Sequence, residues 1–229
     1  MPEPPLTPNA WLRWDVVGRL LDGLDDVERV LEVGAGEGAV GARLARRYDY
    51  VGVEPDPQSR ARARERVETV LEALPDESFD LVCAFEVLEH VADDRAELRA
   101  WRDRLRPDGW LLLSVPAHEK RFGPADRRVG HVRRYEPGGL AELVTETGFE
   151  HPRVVTYGFP LGYALEAARH VLAGRGEGEG TAGSGRWLQP SDRLGWATRL
   201  GTAPFRLLQR PFAGTGLGTG LVVLARRTA

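Results

Sequence analysis

The segment that most constrains the fold is a short apolar strand that runs into a glycine-rich turn and then a helix. Residues 29–33 read RVLEV, the next five read GAGEG, and residues 39–47 have the composition of a helix. Because glycine lacks a Cβ atom, Gly34, Gly36 and Gly38 allow a sharp turn and a close approach of the backbone to a ligand. The segment therefore predicts a ligand site at the carboxyl end of the first strand of an α/β sheet.

Further strands and helices alternate along the chain at the spacing of βαβ units. The predicted strands are 29–33, 50–54, 67–71, 79–84, 110–115, 152–157 and 219–226, and the predicted helices are 9–22, 39–47, 57–66, 93–104, 138–147, 160–173 and 191–209. Such alternation indicates a mostly parallel, doubly wound sheet with helices on both faces.

Composition excludes several classes of protein. The chain has 229 residues, of which 42% are hydrophobic and 28% charged, with a formal net charge of −3. These values are typical of a soluble globular protein and argue against a general nucleic-acid binder, which normally carries excess positive charge. Cys83 is the only cysteine, so no internal disulfide can form. With no secretion signal and no apolar run long enough to span a membrane, we expect a cytoplasmic protein.

Glu54 supports a ligand that contains a nucleoside. It ends the second strand twenty residues after Gly34, where a carboxylate can accept hydrogen bonds from both hydroxyls of a ribose. Gly34, Gly36 and Ala39 also satisfy the dinucleotide pattern G-x-G-x-x-G/A, so a nicotinamide-dependent oxidoreductase remains an alternative. Glu32 opposes that alternative, because its charge would repel a pyrophosphate but suits a cationic amino acid group.

Several segments resemble the class I S-adenosylmethionine-dependent methyltransferases, particularly the small-molecule branch. They are LEVGAGEG (31–38), VGVEPD (51–56), LPDESFDLVCAFEVLEHV (74–91), LRPDGWLLLSVP (105–116) and GHVRRYEPGGLAELVTETGF (130–149). The resemblance implies transfer of a methyl group from S-adenosylmethionine, with S-adenosylhomocysteine as product. It also implies a seven-stranded, mostly parallel sheet whose last strand is antiparallel. A protein that binds S-adenosylmethionine without transferase activity remains a further alternative.

The same resemblance implies the residues that bind the cofactor. Those residues are Glu32, Gly34, Ala35, Gly36 and Gly38 around the methionine part, Glu54 at the ribose, Pro55 and Asp56 beside the adenosine, Val70 and Leu71 at the adenine, and Phe85 beside the methyl group. Members of the family often have an Asp before an ALP segment, whereas Val70 and Leu71 precede EALP in this chain. Adenine recognition is therefore expected to rest on backbone groups.

The loop 116–137 follows the fifth strand and is expected to lie over the methyl group. Its His131 is predicted to be a general base or an acceptor contact, because histidine titrates near neutral pH. The other candidates on this loop are His118 and Tyr135 for catalysis and Arg133 and Arg134 for the acceptor pocket. The alternative is structural: Asp126 and Glu136 can pair with neighbouring arginines. We predict no metal site, and we expect Glu89 and His90 to cap or orient the next helix.

A long insertion separates the last two predicted strands. Residues 158–218 interrupt a domain formed by 1–157 and 219–229, and their glycine-rich part, 173–185, is predicted to be flexible. The insertion is predicted to be a lid over a small or lipid-like acceptor, with Phe159 and Tyr163 in contact with it, and O- or C-methylation is favoured. The alternatives are a helical addition packed on the domain and a surface for peripheral contact with the inner membrane face.

Overall fold

A seven-stranded sheet lies at the centre of the computed structural model, which describes residues 3–175 and 195–228. The strands are β1 Arg29–Val33, β2 Asp49–Val53, β3 Val70–Leu71, β4 Phe79–Phe85, β5 Leu105–Pro116, β6 Phe149–Tyr157 and β7 Gly220–Arg227, in the order β3-β2-β1-β4-β5-β7-β6. The first five strands pair in parallel, and β7 is antiparallel to both β5 and β6. The predicted fold class is confirmed.

Eight helices lie among the described residues. They are α1 Pro8–Leu21, α2 Gly41–Leu44, α3 Pro57–Arg64, α4 Asp94–Arg102, α5 Pro124–Val129, α6 Pro137–Glu146, α7 Leu161–Arg175 and α8 Gly195–Leu208. Side chains of Thr7, Asp56 and Asp93 accept hydrogen bonds from the first turns of α1, α3 and α4. These side chains satisfy amide groups that have no partner within the helix. None of the helices in the described ranges has the length and apolar character needed to cross a membrane.

Two apolar layers cover the faces of the sheet. Successive residues of a strand point to opposite faces, so Leu31 packs with α4 and α6 whereas Val30 packs with α1 and α2. Trp101 of α4 is completely buried in the first layer, and Leu12 of α1 is completely buried in the second. This packing holds the carboxyl ends of β1, β2 and β4 side by side at one edge of the sheet.

Several predicted elements have different limits in the structure; β3, for example, is only Val70–Leu71, and β6 begins at Phe149. The helix expected over 39–47 is reduced to α2, and β5 begins at Leu105, so the turn at Pro107–Gly109 lies inside the strand. The loop 116–137 contains α5, which was not predicted. Pro124 opens this helix, Asp126 accepts a hydrogen bond from the amide of Gly123, and Gly130 ends it with φ of +84°. Such a short helix has too few residues for a periodic apolar pattern.

The insertion begins and ends at the same edge of the sheet. Tyr157, the last residue of β6, pairs with Gly220, the first residue of β7. The amide of Gly158 donates to the side chain of Gln209, which in turn donates to the carbonyl of Leu12 in α1. Most of the segment 173–185 lies outside the described residues, and the division into a core and an insertion remains a prediction.

Candidate active site

The turn after β1 forms a concave stretch of backbone at the carboxyl end of the strand. Gly34, Gly36 and Gly38 have φ values of +75°, +55° and +79°, a region that residues with a side chain rarely adopt. A Cβ atom on Gly34 would overlap the side chain of Val87, and one on Gly38 would lie 3.1 Å from the Cα of Ala63. The absence of side chains lets Val87 and Ala63 pack against the turn at Gly34 and Gly38, whereas a Cβ atom on Gly36 would meet no atom within 4 Å, so the turn is open at Gly36.

Glu54 connects this turn to the end of β2. Its Oε2 accepts a hydrogen bond of 2.8 Å from the amide of Gly36, and its Oε1 accepts one of 2.9 Å from the amide of Asp56. A carboxylate has about four acceptor positions, so both oxygens keep capacity for the hydroxyls of a ribose. The contact between Glu54 and Gly36 therefore brings the predicted ribose site and the glycine turn together at one place, which we call the cleft.

Glu32 lies buried beneath the same turn. Tyr50 donates a hydrogen bond of 2.6 Å from its hydroxyl to Oε2 of Glu32, and the side chain of Glu32 has only 2% of its surface exposed. Burial raises the pKa of Glu32 to about 8, against the lowering effects of the Tyr50 hydrogen bond and the charge of Arg13. A cationic group that enters the cleft would reverse this shift by favouring the ionised carboxyl.

The other cofactor candidates lie at or just after the carboxyl ends of β1, β2, β3 and β4. Ala35 lies in the turn, and Pro55 follows Glu54. The carbonyls of Val70 and Leu71 are already engaged by Arg64 and by the amide of Glu54. Phe85 ends β4 beside β1. An open glycine turn, a buried carboxyl and a carboxylate at the end of β2 fit a nucleoside joined to a cationic amino acid.

Arg13 of α1 was missed by the sequence interpretation. Its Nη1 lies 3.2 Å from Oε1 of Glu86, and its guanidinium lies 5.8 Å from the centre of the Phe85 ring. Glu86 has φ of +59°, and its Oε1 also accepts hydrogen bonds from Ser114 and Tyr157. Little in the sequence indicated this role, because Arg13 is a single basic residue at the border of the buried side of an amphipathic helix.

His131 is held by a buried carboxylate. Its Nδ1 lies 2.9 Å from Oδ1 of Asp126, whose two oxygens also accept hydrogen bonds from Arg134 at 2.9 and 2.8 Å. Burial acts to raise the pKa of Asp126, but the hydrogen bonds from His131 and Arg134 outweigh it and hold that pKa well below its usual range. An ionised Asp126 favours the tautomer with the proton on Nδ1, which leaves Nε2 as the basic atom.

Glu89 does not cap the next helix, α4. Asp93 caps α4, whereas the carboxyl of Glu89 is fully buried and has no hydrogen-bond partner within residues 3–175 and 195–228. Its Oε1 lies 3.6 Å from Nε2 of His131, and burial raises its pKa well above the usual value. The His90 ring packs edge-on against His131 at 4.7 Å, and its Nδ1 lies 3.2 Å from the carbonyl oxygen of Gly130.

The remaining candidates on the loop contact carboxylates of α4 and of the loop itself. Nδ1 of His118 lies 3.1 Å from Oε2 of Glu136. The hydroxyl of Tyr135 donates to Oδ2 of Asp94 at 3.1 Å, and Arg133 pairs with the same carboxylate at 2.6 Å. These contacts are of the structural kind that the sequence left open as an alternative.

Aromatic side chains lie together where the insertion leaves β6. The ring of Phe159 is 5.6 Å from that of Tyr163 and 4.6 Å from that of Phe212. The guanidinium of Arg121, in the turn before α5, lies 4.0 Å from the centre of the Tyr163 ring. The aromatic cluster Phe159–Tyr163–Phe212 thus joins the insertion to the loop that carries His131.

Comparison with known proteins gives matches over much of the chain. A family model described as a methyltransferase domain matches residues 10–152. A protein of Mycolicibacterium smegmatis named as an S-adenosylmethionine-dependent methyltransferase is 34% identical over 178 residues, which cover 71% of this chain and 68% of that protein. A ubiquinone biosynthesis O-methyltransferase of Azorhizobium caulinodans is 38% identical over 143 residues, with 52% of this chain and 56% of the relative covered.

The chain spans about half the length of the ubiquinone biosynthesis relatives that it matches. Among solved structures, an S-adenosylmethionine-dependent methyltransferase from Thermotoga maritima superimposes with a TM-score of 0.59 at 21% identity, over 95% of this chain and 94% of that one. At this identity the likeness concerns the fold alone. None of these matches supports the nicotinamide alternative.

Proposed function

The chain belongs to the class I S-adenosylmethionine-dependent methyltransferases, and we propose that it methylates a hydroxyl group of a small, lipid-like acceptor. The observation that carries this proposal is the contact between Asp126 and Nδ1 of His131 on the loop 116–137, called the active-face loop below. The O-methyltransferase names of several relatives support the same choice of acceptor atom.

The cofactor is bound by the residues around the glycine turn. When bound, S-adenosylmethionine supplies a methyl group on a positively charged sulfur, and S-adenosylhomocysteine is its product. Gly34 and Gly36 give the backbone room for the ligand, Glu54 accepts hydrogen bonds from the ribose, and the carboxylate of Glu32 faces the cationic amino acid part. Arg13, beside Glu86 and Phe85, closes the cleft on the side of α1.

His131 removes the proton of the acceptor hydroxyl. Methyl transfer needs the acceptor oxygen aligned behind the methyl carbon, and a hydroxyl must lose its proton as the new bond forms. Asp126 keeps the His131 proton on Nδ1, so Nε2 receives the acceptor proton and the resulting imidazolium is stabilised by the same carboxylate. General bases of this kind contribute roughly 10²- to 10⁴-fold to rate.

The aromatic cluster Phe159–Tyr163–Phe212 supports an apolar acceptor. It lies at the end of β6, between the insertion and the active-face loop. Aromatic rings bury large apolar areas and leave few polar groups to satisfy. A ring or an alkyl chain of the acceptor packs on this cluster in the proposal.

The test is an acceptor screen with the full chain. Purified protein is incubated with S-adenosylmethionine and equal concentrations of phenols, long-chain alcohols and amines, and S-adenosylhomocysteine release is measured by mass spectrometry. We expect the apolar phenols or alcohols to be methylated. Replacement His131→Ala is expected to lower kcat by at least about 100-fold, with cofactor Kd unchanged.

The matched control is His151→Ala, an exposed histidine at the other end of β6, which should leave kcat unchanged. Methylation of amines alone, or transfer to carbon, contradicts the hydroxyl acceptor. A His131→Ala variant with wild-type kcat contradicts the base.

A metal-assisted reaction is the second candidate, favoured by one specific arrangement. Single ligand atoms of Glu89, His90 and His131 lie within 4.8 Å of one another. Nδ1 of each histidine faces a protein oxygen, which leaves Nε2 for a cation, as is common around metal ligands. A bound cation would lower the pKa of the acceptor hydroxyl without a base. Activity that is lost with a chelator and restored by one divalent cation favours this candidate.

The exposed face of α8 supports a further part of the proposal, contact with a membrane surface. Trp196, Leu200 and Leu207 lie on one side of this helix, with 65%, 63% and 61% of their surfaces exposed. Residues 193–229 contain arginines but no aspartate or glutamate, and Arg199 on α8 is exposed. An apolar face with basic neighbours fits an anionic headgroup layer.

Vesicle sedimentation tests this contact. Wild-type protein is expected to sediment with vesicles of phosphatidylglycerol and phosphatidylcholine more than with phosphatidylcholine alone. The double variant Trp196→Ser, Leu200→Gln should lose most of that binding. The control variant Val132→Gln changes an exposed apolar residue of the active-face loop and should bind as wild type. Equal binding of all three proteins contradicts the membrane contact.

A further inference from the structure

A buried ionic network joins the insertion to the loop that carries His131. Glu166 of α7 has 2% of its surface exposed and pairs with two arginines, Arg121 and Arg134. Arg134, itself buried, pairs with both oxygens of Asp126. Asp126 in turn holds Nδ1 of His131. The chain of contacts thus runs from α7 to the imidazole through groups that are shielded from solvent.

Each contact in the network restricts the next one. The Nε and Nη2 atoms of Arg134 donate hydrogen bonds to Asp126. Its Nη1 atom donates to Glu166 and to the carbonyl oxygen of Ala117. The planar guanidinium is therefore held on both edges, and its plane sets the position of the Asp126 carboxylate. Two carboxylates face two guanidiniums, so removal of the Glu166 charge leaves Arg121 without this carboxylate and Arg134 paired with Asp126 alone.

We propose that Glu166 is a positioning residue for His131: from the insertion, it fixes Arg134 and Asp126 and thereby the tautomer and orientation of the imidazole. This inference rests on the proposed function of His131 for its effect on rate, but its effect on the imidazole is independent of any acceptor. It makes α7 part of the apparatus for methyl transfer, in addition to any cover that the insertion provides.

The first experiment compares Glu166→Gln, Glu166→Asp and Ala167→Gln in the full chain. Ala167 is the exposed neighbour on the same helix and serves as the control. We expect Glu166→Gln to lower kcat on the order of 10-fold, because a shift of about 1 Å at a catalytic group can cost up to about 100-fold in rate. Cofactor Kd should stay within about two-fold, and Glu166→Asp should recover part of the rate.

A double-mutant cycle separates positioning from a merely structural role. If Glu166 acts through His131, Glu166→Gln should have little further effect on kcat in a His131→Ala background. If the two substitutions lower kcat independently, their effects multiply, and the proposal is wrong. The same conclusion follows if Glu166→Gln lowers the melting temperature and leaves kcat unchanged.

Nitrogen NMR of the imidazole gives a readout that needs no acceptor. The proton of neutral His131 is expected on Nδ1 in the wild type, and Glu166→Gln should increase the population with the proton on Nε2. An unchanged tautomer population overturns the positioning role even if methyl transfer is observed. A chain that binds cofactor and methylates nothing contradicts the proposed function and leaves this readout intact.

A milder variant covers the case in which Glu166→Gln does not fold. Arg121 is partly exposed and contacts the same carboxylate, so Arg121→Gln removes one of the two partners of Glu166 and leaves Arg134 as the other. We expect a reduction of kcat on the order of three-fold and a smaller change of the tautomer population. If both quantities equal those of the wild type, Glu166 does not position His131.

Discussion

The hydroxyl of Tyr50 donates a hydrogen bond of 2.6 Å to Oε2 of Glu32. The two residues lie on neighbouring strands, β2 and β1, and both side chains are buried below the glycine turn. Tyr50 is thus a polar partner of the buried Glu32 carboxyl. Because burial still raises the pKa of Glu32 to about 8, the carboxyl is mostly protonated at neutral pH.

Cofactor binding should therefore release a proton. A cationic amino acid group favours the ionised form of Glu32, so near pH 7 we expect S-adenosylhomocysteine binding to release close to one proton per site. Calorimetry in two buffers with different ionisation enthalpies measures this number. Glu32→Gln should abolish the release and weaken binding by roughly 10- to 100-fold, the value of a hydrogen bond to a charged group. Proton release that is equal in both proteins would falsify the assignment.

The same carboxyl should make the ligand-free protein less stable as pH rises. The folded state keeps the Glu32 proton up to about pH 8, whereas the unfolded state loses it near 4.5. Between these values the folded state binds more protons, so the free energy of unfolding falls with increasing pH across this window. Urea unfolding at several pH values should show a weaker decrease for Glu32→Gln. An identical pH profile for the two proteins contradicts the raised pKa.

Gly34→Ala should damage the cofactor cleft, whereas Gly138→Ala should not. An alanine Cβ at position 34 would overlap Val87 and would adopt φ of +75°, which costs about 1–3 kcal/mol in a residue with a side chain. A Cβ at position 138 meets no atom within 4 Å. We expect weaker cofactor binding by at least about 10-fold for the first variant only, measured by calorimetry. Equal affinities of the two variants count against the turn as the binding site.

Arg13→Gln should lower cofactor affinity by about 10-fold, since a charge-assisted hydrogen bond is worth roughly 1.5–3 kcal/mol. Arg13 is the partly buried cation beside Glu86 and Phe85, and the cofactor carries a carboxylate in its amino acid part. Arg19→Gln on the same helix is the control, because the Arg19 side chain is 42% exposed and ion pairs of exposed arginines contribute little. If both variants bind cofactor as tightly as the wild type, Arg13 does not contact it.

Trp101→Ala should lower the free energy of unfolding by about 3–5 kcal/mol. The side chain is fully buried in the apolar layer that contains residues of α4, β5 and α6, and its Nε1 donates a hydrogen bond of 2.8 Å to Oε1 of Glu97. Trp196→Ala removes the same side chain from the exposed face of α8 and should change stability by less than about 0.5 kcal/mol. Urea unfolding measures both. If both variants lose a similar free energy of unfolding, the Trp196 side chain is packed and is not exposed on α8.

The glycine turn and Glu54 illustrate what a sequence can predict. A strand that ends in Gly34, Gly36 and Gly38 needs only local backbone geometry to form its turn, and the βαβ order brings the end of β2 beside it. Glu54 could be placed from its spacing alone, and the contact between its carboxylate and the amide of Gly36 agrees with that placement.

The contacts around His131 illustrate the opposite case. The sequence identified His131 and the arginines of the loop, but α5 was too short for its pattern to be recognised. The partner of Arg134 in the insertion, Glu166, lies 32 residues away along the chain. The sequence does not show whether an arginine is solvated or buried. Its burial and its partners depend on how the chain packs.

The sequence by itself determined the order of strands and helices, the glycine turn and the family, because these depend on apolar periodicity and on backbone freedom within short segments. The tertiary structure decided which charged groups lose their water. It put Arg13 beside Glu86, buried the Glu89 carboxyl without a hydrogen-bond partner in the described chain, and connected Glu166 through Arg134 and Asp126 to His131. Desolvation depends on every element packed around a group, so these relationships arise only when distant segments meet.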